Sequence, residues 1–335
     1  MRPSRSFKIN KRRLFIQTLV CHTLVATALV TPWATQAQPV DFSKKPITLV
    51  VPFAAGGGTD SIARDLAKLL SEKLKTPVVV ENKGGAGGSI AANGVAKAPG
   101  DGHTLLFVTS TFATHAASDP KPSYDPIKDF APVALLGSGP LVVVTSKDSG
   151  ITTMAQLLEK AKKSPGELAY CTSGPGGINH LAAEMYAQAA GVKMTHVPYK
   201  GSGPATLDLI AGRTQVFFST VPTIRAQIQS NKVNLLAVTS KEPSTMFPGV
   251  PTVIESGVPG YEVSTWWGIV APKSTPANVI STLKAAINSE SPALKDRFER
   301  EGATPFYGSP AAFGSMMENE LQGWRKVVSA GIKLD

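Results

Sequence analysis

Cysteine is nearly absent from the 335-residue chain, which has only Cys21 and Cys171. With so few thiols, the sequence excludes a framework of internal disulfides and any metal site built from several cysteines. The five histidines are equally sparse, and only His180 and Glu184 have the helical spacing of a shared metal site. Because no third ligand accompanies that pair, we expect no metal, and we expect no other cofactor.

Three motifs of common enzyme classes are also absent. The chain has no GxxxxGK[ST] phosphate loop, no GxSxG nucleophile elbow and no HExxH zinc pair. Ser173 and His180 could act as nucleophile and base, but no third group is evident. Gly56-x-Gly58, with Glu81 after it, imitates a dinucleotide fingerprint that lacks its third glycine. An exported NAD-type oxidoreductase or hydrolase is therefore kept only as the alternative to a non-enzymatic function.

Acidic residues are missing from the first forty positions, whereas six of the 34 basic side chains lie before residue 14. The apolar run Leu14–Val30 follows, and a small-residue stretch ends at Ala37. This pattern predicts a signal peptide over residues 1–37 and a periplasmic protein. Lys11–Gln17 also resembles a twin-arginine signal, so the export route stays open. Without the six leading cations, 28 basic groups face 24 acidic ones, which argues against a nucleic-acid partner.

Short β-branched runs alternate with amphipathic helical patterns along the rest of the chain. This alternation predicts an α/β fold with a largely parallel sheet. The last third has too few strands for a sheet of its own, so we expect it to return to the first part. The chain would then cross twice between two lobes, with a hinge and a cleft between them. The predicted lobe 1 is residues 38–143 with 260–335, and lobe 2 is residues 144–259.

Several predicted strand-to-helix junctions are rich in glycine or hydroxyl groups. The clearest are 52–60 and 173–180, and others lie at 82–89, 109–111, 199–203 and 219–222. Glycine permits close approach to the main chain, and the start of a helix offers unpaired N–H groups that attract anions. In an open parallel sheet such junctions gather where ligands bind. Glycine, serine and threonine also serve simply as turns and caps, so a purely structural role stays open for each junction.

The residues at these junctions resemble the Bug family, the periplasmic solute-binding components of tripartite tricarboxylate transporters. The resemblance rests on Lys45–Asp60, Pro99–Leu106, His196–Gly201 and Trp267–Pro272, and further matches span nearly all of the chain after the signal peptide. It implies a type II periplasmic-binding-protein fold, not an enzyme, that closes on an organic carboxylate. It also implies an integral membrane permease as partner. We expect a monomer that captures a di- or tricarboxylate, or an aromatic dicarboxylate.

The resemblance assigns carboxylate binding to main-chain groups of lobe 1 loops and to loops of lobe 2 that close over them. The residues that match are Phe53, Ala54, Ala55, Gly57, Thr59, Asp60, Ser110, Thr111, Ser173, Gly177, Asn179, His180, Tyr199, Gly201, Thr220 and Val221. Five aromatic side chains lie beside these loops and could wall an apolar ligand body or simply pack within the lobes. They are Phe53, Phe112, Tyr199, Phe218 and Trp267.

Overall fold

The computed structural model describes residues 41–42, 44–289, 291–300, 302–306 and 308–332. The predicted signal peptide, residues 1–37, lies outside them. The described residues belong to one compact unit. Of the helices in these ranges, none combines the length and the apolar character needed to cross a lipid bilayer.

Strands and helices alternate along the chain as the sequence predicts. The strands are β1 (Ile47–Val51), β2 (Val78–Asn82), β3 (Thr104–Thr109), β4 (Phe130–Ser146), β5 (Ala169–Thr172), β6 (Thr195–Pro198), β7 (Val216–Thr220), β8 (Val233–Val238), β9 (Ser264–Pro272) and β10 (Thr304–Pro305). The helices are α1 (Gly58–Leu74), α2 (Ser89–Ala96), α3 (Thr111–Ser118), α4 (Met154–Lys163), α5 (Ile178–Ala190), α6 (Ser202–Ile210), α7 (Val221–Gln229), α8 (Ala277–Ser289), α9 (Ser291–Arg300) and α10 (Pro310–Ser329).

The long strand β4 is shared by two parts of one curled sheet. Up to Pro140 it pairs with β9, which lies between β4 and β3, and β1 and β2 continue outward in parallel. From Leu141 onward it pairs antiparallel with β7 and β8, and β5 joins β7 to β6. We call the part with β1, β2, β3, β9 and β4 up to Pro140 the first half. The part with β5, β6, β7, β8 and β4 from Leu141 onward is the second half, and each half includes the helices that pack on it. The predicted α/β class is confirmed, but β4 and β9 make the sheet mixed rather than largely parallel.

Helix α1 shows how the sequence specifies the packing of the first half. Ile62, Leu66 and Leu70 recur at helical spacing and are buried, whereas Arg64 and Lys68 lie on the exposed side. Burial of each large aliphatic side chain contributes about 1.5–3 kcal/mol. The helix packs on β1 and β2 and also contacts α7 of the second half. Its N-terminus is therefore held at the contact between the halves.

Glu320 of α10 connects the C-terminal helix to the strand that returns from the second half. Its carboxylate accepts hydrogen bonds from the indole N–H groups of Trp266 and, at 3.1 Å, Trp324. Burial raises the pKa of Glu320 to about 7, although both indoles act to lower it. Trp266 lies on β9 beside the point where β4 passes from one half to the other. This carboxyl group is thus coupled to the strands that join the halves.

Candidate functional site

The loop between β1 and α1 lies against the second half. The Ala54 N–H donates to the Lys200 carbonyl at 2.7 Å, and the Gly58 N–H donates to the Thr223 hydroxyl at 3.1 Å. Both acceptors belong to loops or helix starts of the second half. The predicted junctions at 52–60 and 199–203 are therefore brought together, and two amides of the first are bonded across the contact.

The start of α3 meets the start of α5 at the same contact. The Ile178 N–H donates to the Thr111 hydroxyl at 3.3 Å. One turn further along α3, the Nδ1 atom of His115 lies 3.2 Å from the Pro175 carbonyl. Burial lowers the pKa of His115, so a neutral ring that donates from Nδ1 fits this contact. The junctions at 109–111 and 173–180 are thus also neighbours.

Glycines make the closest approaches between the halves. A Cβ atom on Gly203, the second residue of α6, would lie 2.7 Å from the Ala55 carbonyl oxygen. A Cβ atom on Gly84 would lie 2.6 Å from the Lys200 carbonyl oxygen. Both distances are too short for a real side chain, so the absence of Cβ lets one main chain rest on another.

Main-chain donors remain at the start of α1, and the amides of Ala55 and Thr59 are among them. Within the described part of the chain, the amides of Ala55 and Thr59 make no hydrogen bond. They lie at the N-terminus of a 17-residue helix, where aligned peptide dipoles leave partial positive charge. A carboxylate oxygen is a suitable acceptor for such donors.

Asp60 organises this loop from inside. Its carboxylate is 5% exposed and accepts hydrogen bonds from the Gly56 N–H at 3.0 Å, Arg64 at 3.1 Å and Asn82 at 2.9 Å. Burial raises the pKa of Asp60, but these hydrogen bonds and the charge of Arg64 outweigh it and leave the pKa below its usual value. The Asn82 amide also donates to the Phe53 carbonyl at 3.1 Å. Asp60 therefore holds the loop in shape and ties it to β2.

We expect Asp60→Asn to destabilise the fold at neutral pH by about 1–2 kcal/mol, because an amide replaces an acceptor of charge-assisted hydrogen bonds. Since the folded-state pKa of Asp60 is lowered, its contribution is present above the unfolded pKa and is lost as pH falls through the folded pKa. Urea unfolding at pH 7 and pH 3 checks both points. The difference between wild type and variant should shrink in acid.

Asp65→Asn is the matched control for this prediction. Asp65 lies on the same helix, is half exposed and pairs with Arg297 at 3.0 Å. A surface pair contributes about 0–1 kcal/mol, so its loss should cost less. Equal effects of the two substitutions would contradict the organising role of Asp60.

The predicted polar side chains of the α5 junction bond to one another. Ser173 donates to the Asn179 side chain at 2.8 Å, and the Asn179 amide donates to the Phe218 carbonyl. His180 accepts from the Gly176 N–H at 3.2 Å and stacks on His196 at 3.8 Å between ring centres. Burial and the neighbouring imidazole lower the pKa of His180 to about 3, so this ring is neutral near pH 7.

Other predicted residues also lie at the contact or just behind it, and the polar side chains of Ser110, Tyr199 and Thr220 are engaged. Ser110 bonds Thr265 at 2.8 Å, and Tyr199 donates to Asp208 at 2.6 Å. Thr220 lies 2.9 Å from Thr223, oxygen to oxygen. A Cβ atom on Gly201 would lie 2.9 Å from the Ala54 nitrogen, and one on Gly177 would touch Thr111. Phe53 and Val221 are buried, and Gly57 precedes α1.

The residues considered for enzymatic chemistry bond to partners within the fold. Ser173 bonds Asn179, whereas Glu184 accepts a hydrogen bond from the Tyr170 hydroxyl. Among the described residues, no group of three His, Cys, Asp or Glu side chains could hold a metal ion. Cys171 is buried, and burial raises the pKa of its thiol to about 12. This environment disfavours the reactive thiolate.

A small cavity lies beneath these loops in the first half. Its volume is about 10 Å³, room for about one water molecule. Its walls include Phe53 and Phe112, two of the five aromatic residues considered from the sequence, whereas Phe218 and Trp267 are buried in the cores of the halves. A metabolite is too large for this cavity.

Sequence reasoning missed the acceptors and donors that join the halves. The Lys200 and Pro175 carbonyls, the Thr223 hydroxyl and the His115 ring were not among the predicted site residues. For Thr223 a signal existed, because it lies three residues after Thr220 in the first turn of α7. Main-chain carbonyls carry no such signal, since any residue supplies one.

The family model described as "Tripartite tricarboxylate transporter family receptor" matches residues 62–332. The protein BugT of Bordetella pertussis is 37% identical over 298 residues, which are 88% of this chain and 91% of BugT. Both findings confirm the resemblance described above.

Solved structures of similar proteins have the same fold. The periplasmic binding protein BugD superposes with a TM-score of 0.83 at 33% identity, over 87% of this chain and 99% of BugD. A Rhodopseudomonas palustris protein with adipate has a TM-score of 0.83 at 34% identity, over 86% of this chain and 98% of that protein. MatC of the same species, with bound malate, has a TM-score of 0.81 at 31% identity, over 86% and 100% of the two chains. The chain therefore belongs to the receptor family of tripartite tricarboxylate transporters.

Proposed function

We propose that this receptor binds an organic carboxylate where the two halves meet and delivers it to a membrane permease. The observation that carries the proposal is the convergence of loops from both halves on the start of α1, where the Ala55 and Thr59 amides are unbonded. The relatives with adipate and malate support the same class of ligand. No residue arrangement described above favours the oxidoreductase or hydrolase alternative.

The energetics of main-chain donors fit such a receptor. Hydrogen bonds to a charged group contribute about 1.5–3 kcal/mol each, so three supply about 4.5–9 kcal/mol, against roughly 8 kcal/mol for micromolar binding. Ligand contacts that form only when the halves are together would add affinity and favour closure. We propose that the predicted ligand residues, from Phe53 to Val221, act mostly through their main-chain N–H groups and by shaping the binding site.

The remaining expectations belong to the same proposal. Lobe 1 comprises residues 38–143 with 260–335, and lobe 2 residues 144–259. Removal of residues 1–37 on export would place a monomeric receptor in the periplasm, where BugD is a binding protein. A permease of the tripartite type would receive the ligand there.

A thermal-shift screen against mono-, di- and tricarboxylates tests the proposal. A ligand that binds only the folded protein stabilises it by about 2.7 kcal/mol at a hundred times its dissociation constant, so Tm rises with concentration. For each acid that shifts Tm, the matched diamide or triamide should not, because it lacks the anionic groups. Shifts by a nucleotide or a divalent metal, with none by any carboxylate, would contradict the proposal.

A further inference from the structure

A groove lies between the C-terminal helix α10 and the second half. Met185 of α5 and Glu262, just before β9, line one side of it, and Glu320 and Trp324 of α10 line the other. Its volume is about 380 Å³, and a neighbouring groove of about 360 Å³ shares Met185 and Val327 with it. A space of this size can hold a small organic molecule.

Glu320 in this groove is a carboxyl group without a counter-ion. Its two oxygen atoms accept one indole N–H each, from Trp266 and Trp324. Among the residues that the structure describes, no lysine, arginine or histidine side chain pairs with it, and no cationic side chain acts on its pKa. Charges removed from water are usually paired with an opposite charge, and two neutral donors compensate Glu320 only in part.

The side chains that line the groove supply negative charge and carbon surface. Glu262 and Glu320 are its ionisable members, whereas Met185, Trp324 and Val327 are apolar or aromatic. None of the lining side chains is an ammonium, a guanidinium or an imidazole. The groove therefore complements a ligand that has the opposite charge and an apolar surface of its own.

Other charged groups near these helices lie outside the groove wall. Arg325 and Lys326 of α10 are exposed, and Arg325 lines a separate groove with Asp125. Glu184 of α5 accepts a hydrogen bond from the Tyr170 hydroxyl. The two carboxyl groups of the wall are thus the charges that a ligand would meet in the groove.

We propose that this groove binds a small organic cation, with an ammonium group beside Glu320 and an apolar body against Met185, Trp324 and Val327. Hydrogen bonds between ammonium and carboxylate groups are charge-assisted, and the faces of indole rings attract cations. The groove shares no residue with the loops proposed to hold the carboxylate. The inference therefore adds a second binding site to the proposed function.

The compound 2-phenylethylammonium is a suitable probe, because it combines the charge with an apolar body. Methylammonium keeps the charge without the body, and 2-phenylethanol keeps the body without the charge. In calorimetric titrations of the full exported chain at pH 8, the probe should bind at least about tenfold more tightly than either, since one hydrogen bond to a charged group accounts for that factor. Equal binding of 2-phenylethanol, or no binding of the probe, would overturn the inference.

Glu320→Gln tests where the ammonium group lies. The amide keeps the shape of the side chain and removes its charge, so the affinity for 2-phenylethylammonium should fall at least about tenfold. Glu318→Gln is the matched control, because Glu318 is an exposed residue of the same helix that does not line the groove. Thermal melts check that both variants are folded. Wild-type affinity in a folded Glu320→Gln protein would overturn the placement.

The pH dependence of the wild-type protein gives a second test that needs no variant. Because burial raises the pKa of Glu320 to about 7, most molecules hold a neutral Glu320 at pH 5.5, whereas a primary ammonium stays charged. The affinity for 2-phenylethylammonium should therefore rise by up to about 30-fold between pH 5.5 and pH 8. A constant or falling affinity would overturn the contact with Glu320. Neither test depends on whether the loops bind a carboxylate, so the proposed function stands or falls separately.

Discussion

Gly203→Ala is expected to weaken carboxylate binding about 100-fold while leaving the fold intact. The new Cβ atom would lie 2.7 Å from the Ala55 carbonyl oxygen, a main-chain atom that cannot rotate away. The halves would then stay apart, and the bonds from Ala54, Gly58 and Ile178 across the contact would be lost. At about 1 kcal/mol for each, three bonds correspond to roughly a hundredfold change in affinity. Calorimetric titration with a carboxylate found in the screen measures it.

Gly94→Ala is the matched control. Gly94 lies inside helix α2, and a Cβ atom there would meet nothing within 4 Å. Both substitutions replace glycine in a helix by a better helix former, so helix propensity disfavours neither variant. Small-angle scattering with ligand present should show a larger radius for Gly203→Ala than for Gly94→Ala. Wild-type affinity in a folded Gly203→Ala protein would show that closure is not required for binding.

The second large effect concerns pH and Glu320. Its pKa is raised from about 4.5 to about 7 in the folded protein, so the folded state holds this proton where the unfolded chain releases it. Stability must therefore fall as pH rises between these two values. At about 1.4 kcal/mol per pKa unit, with allowance for partial exposure, the decrease is about 2–3 kcal/mol. Urea unfolding of wild type and Glu320→Gln across pH 4.5–8 should give a difference that changes by this amount.

Glu262→Gln serves as the comparison for Glu320→Gln. Glu262 lines the same groove as Glu320, beside Val263 and Trp324, but its side chain is exposed. Its replacement should change stability little, because an exposed surface side chain gives up few contacts. A parallel pH profile for wild type and Glu320→Gln would refute the assignment.

Much of the fold follows from patterns that can be read in the chain. Helix α1 was predictable because Ile62, Leu66 and Leu70 recur at helical spacing. The return of the last third to the first half was predictable because one strand cannot form a sheet. In the structure β9 lies between β3 and β4, within the first half. Local periodicity and a count of strands were sufficient for both.

The first part of β4 was not predictable by the same means. The sequence from Gly137 to Pro140 resembles a turn, because glycine and proline usually interrupt strands. Here the strand continues through them, and glycine is needed because β10 packs closely against it. A Cβ atom on Gly137 would lie 2.9 Å from the Thr304 carbonyl oxygen, and one on Gly139 would lie 3.1 Å from Ala303. These glycines admit a neighbouring main chain, and that requirement is set by Thr304 and Ala303, which lie 167 and 164 positions further along the chain.

The candidate site was predictable as a set of loops but not as a set of contacts. Glycine-rich junctions after β1, β5 and β6 marked which segments would converge. Which amides are bonded across the contact depends on carbonyls such as that of Lys200, whose position follows from the packing of both halves. Asp60 illustrates the same limit, because its i+4 partner Arg64 is visible in the sequence whereas its partner Asn82 comes from another strand.

One consequence of the shared strand β4 concerns cooperativity. A backbone segment that contributes to both hydrophobic cores cannot melt in one of them without disturbing the other. Ligand binding at the contact between the halves would therefore also stabilise the distant edge strands. Amide hydrogen exchange should slow at β6 as well as beside the loops. A single sigmoidal melt is then the natural readout of occupancy for this architecture.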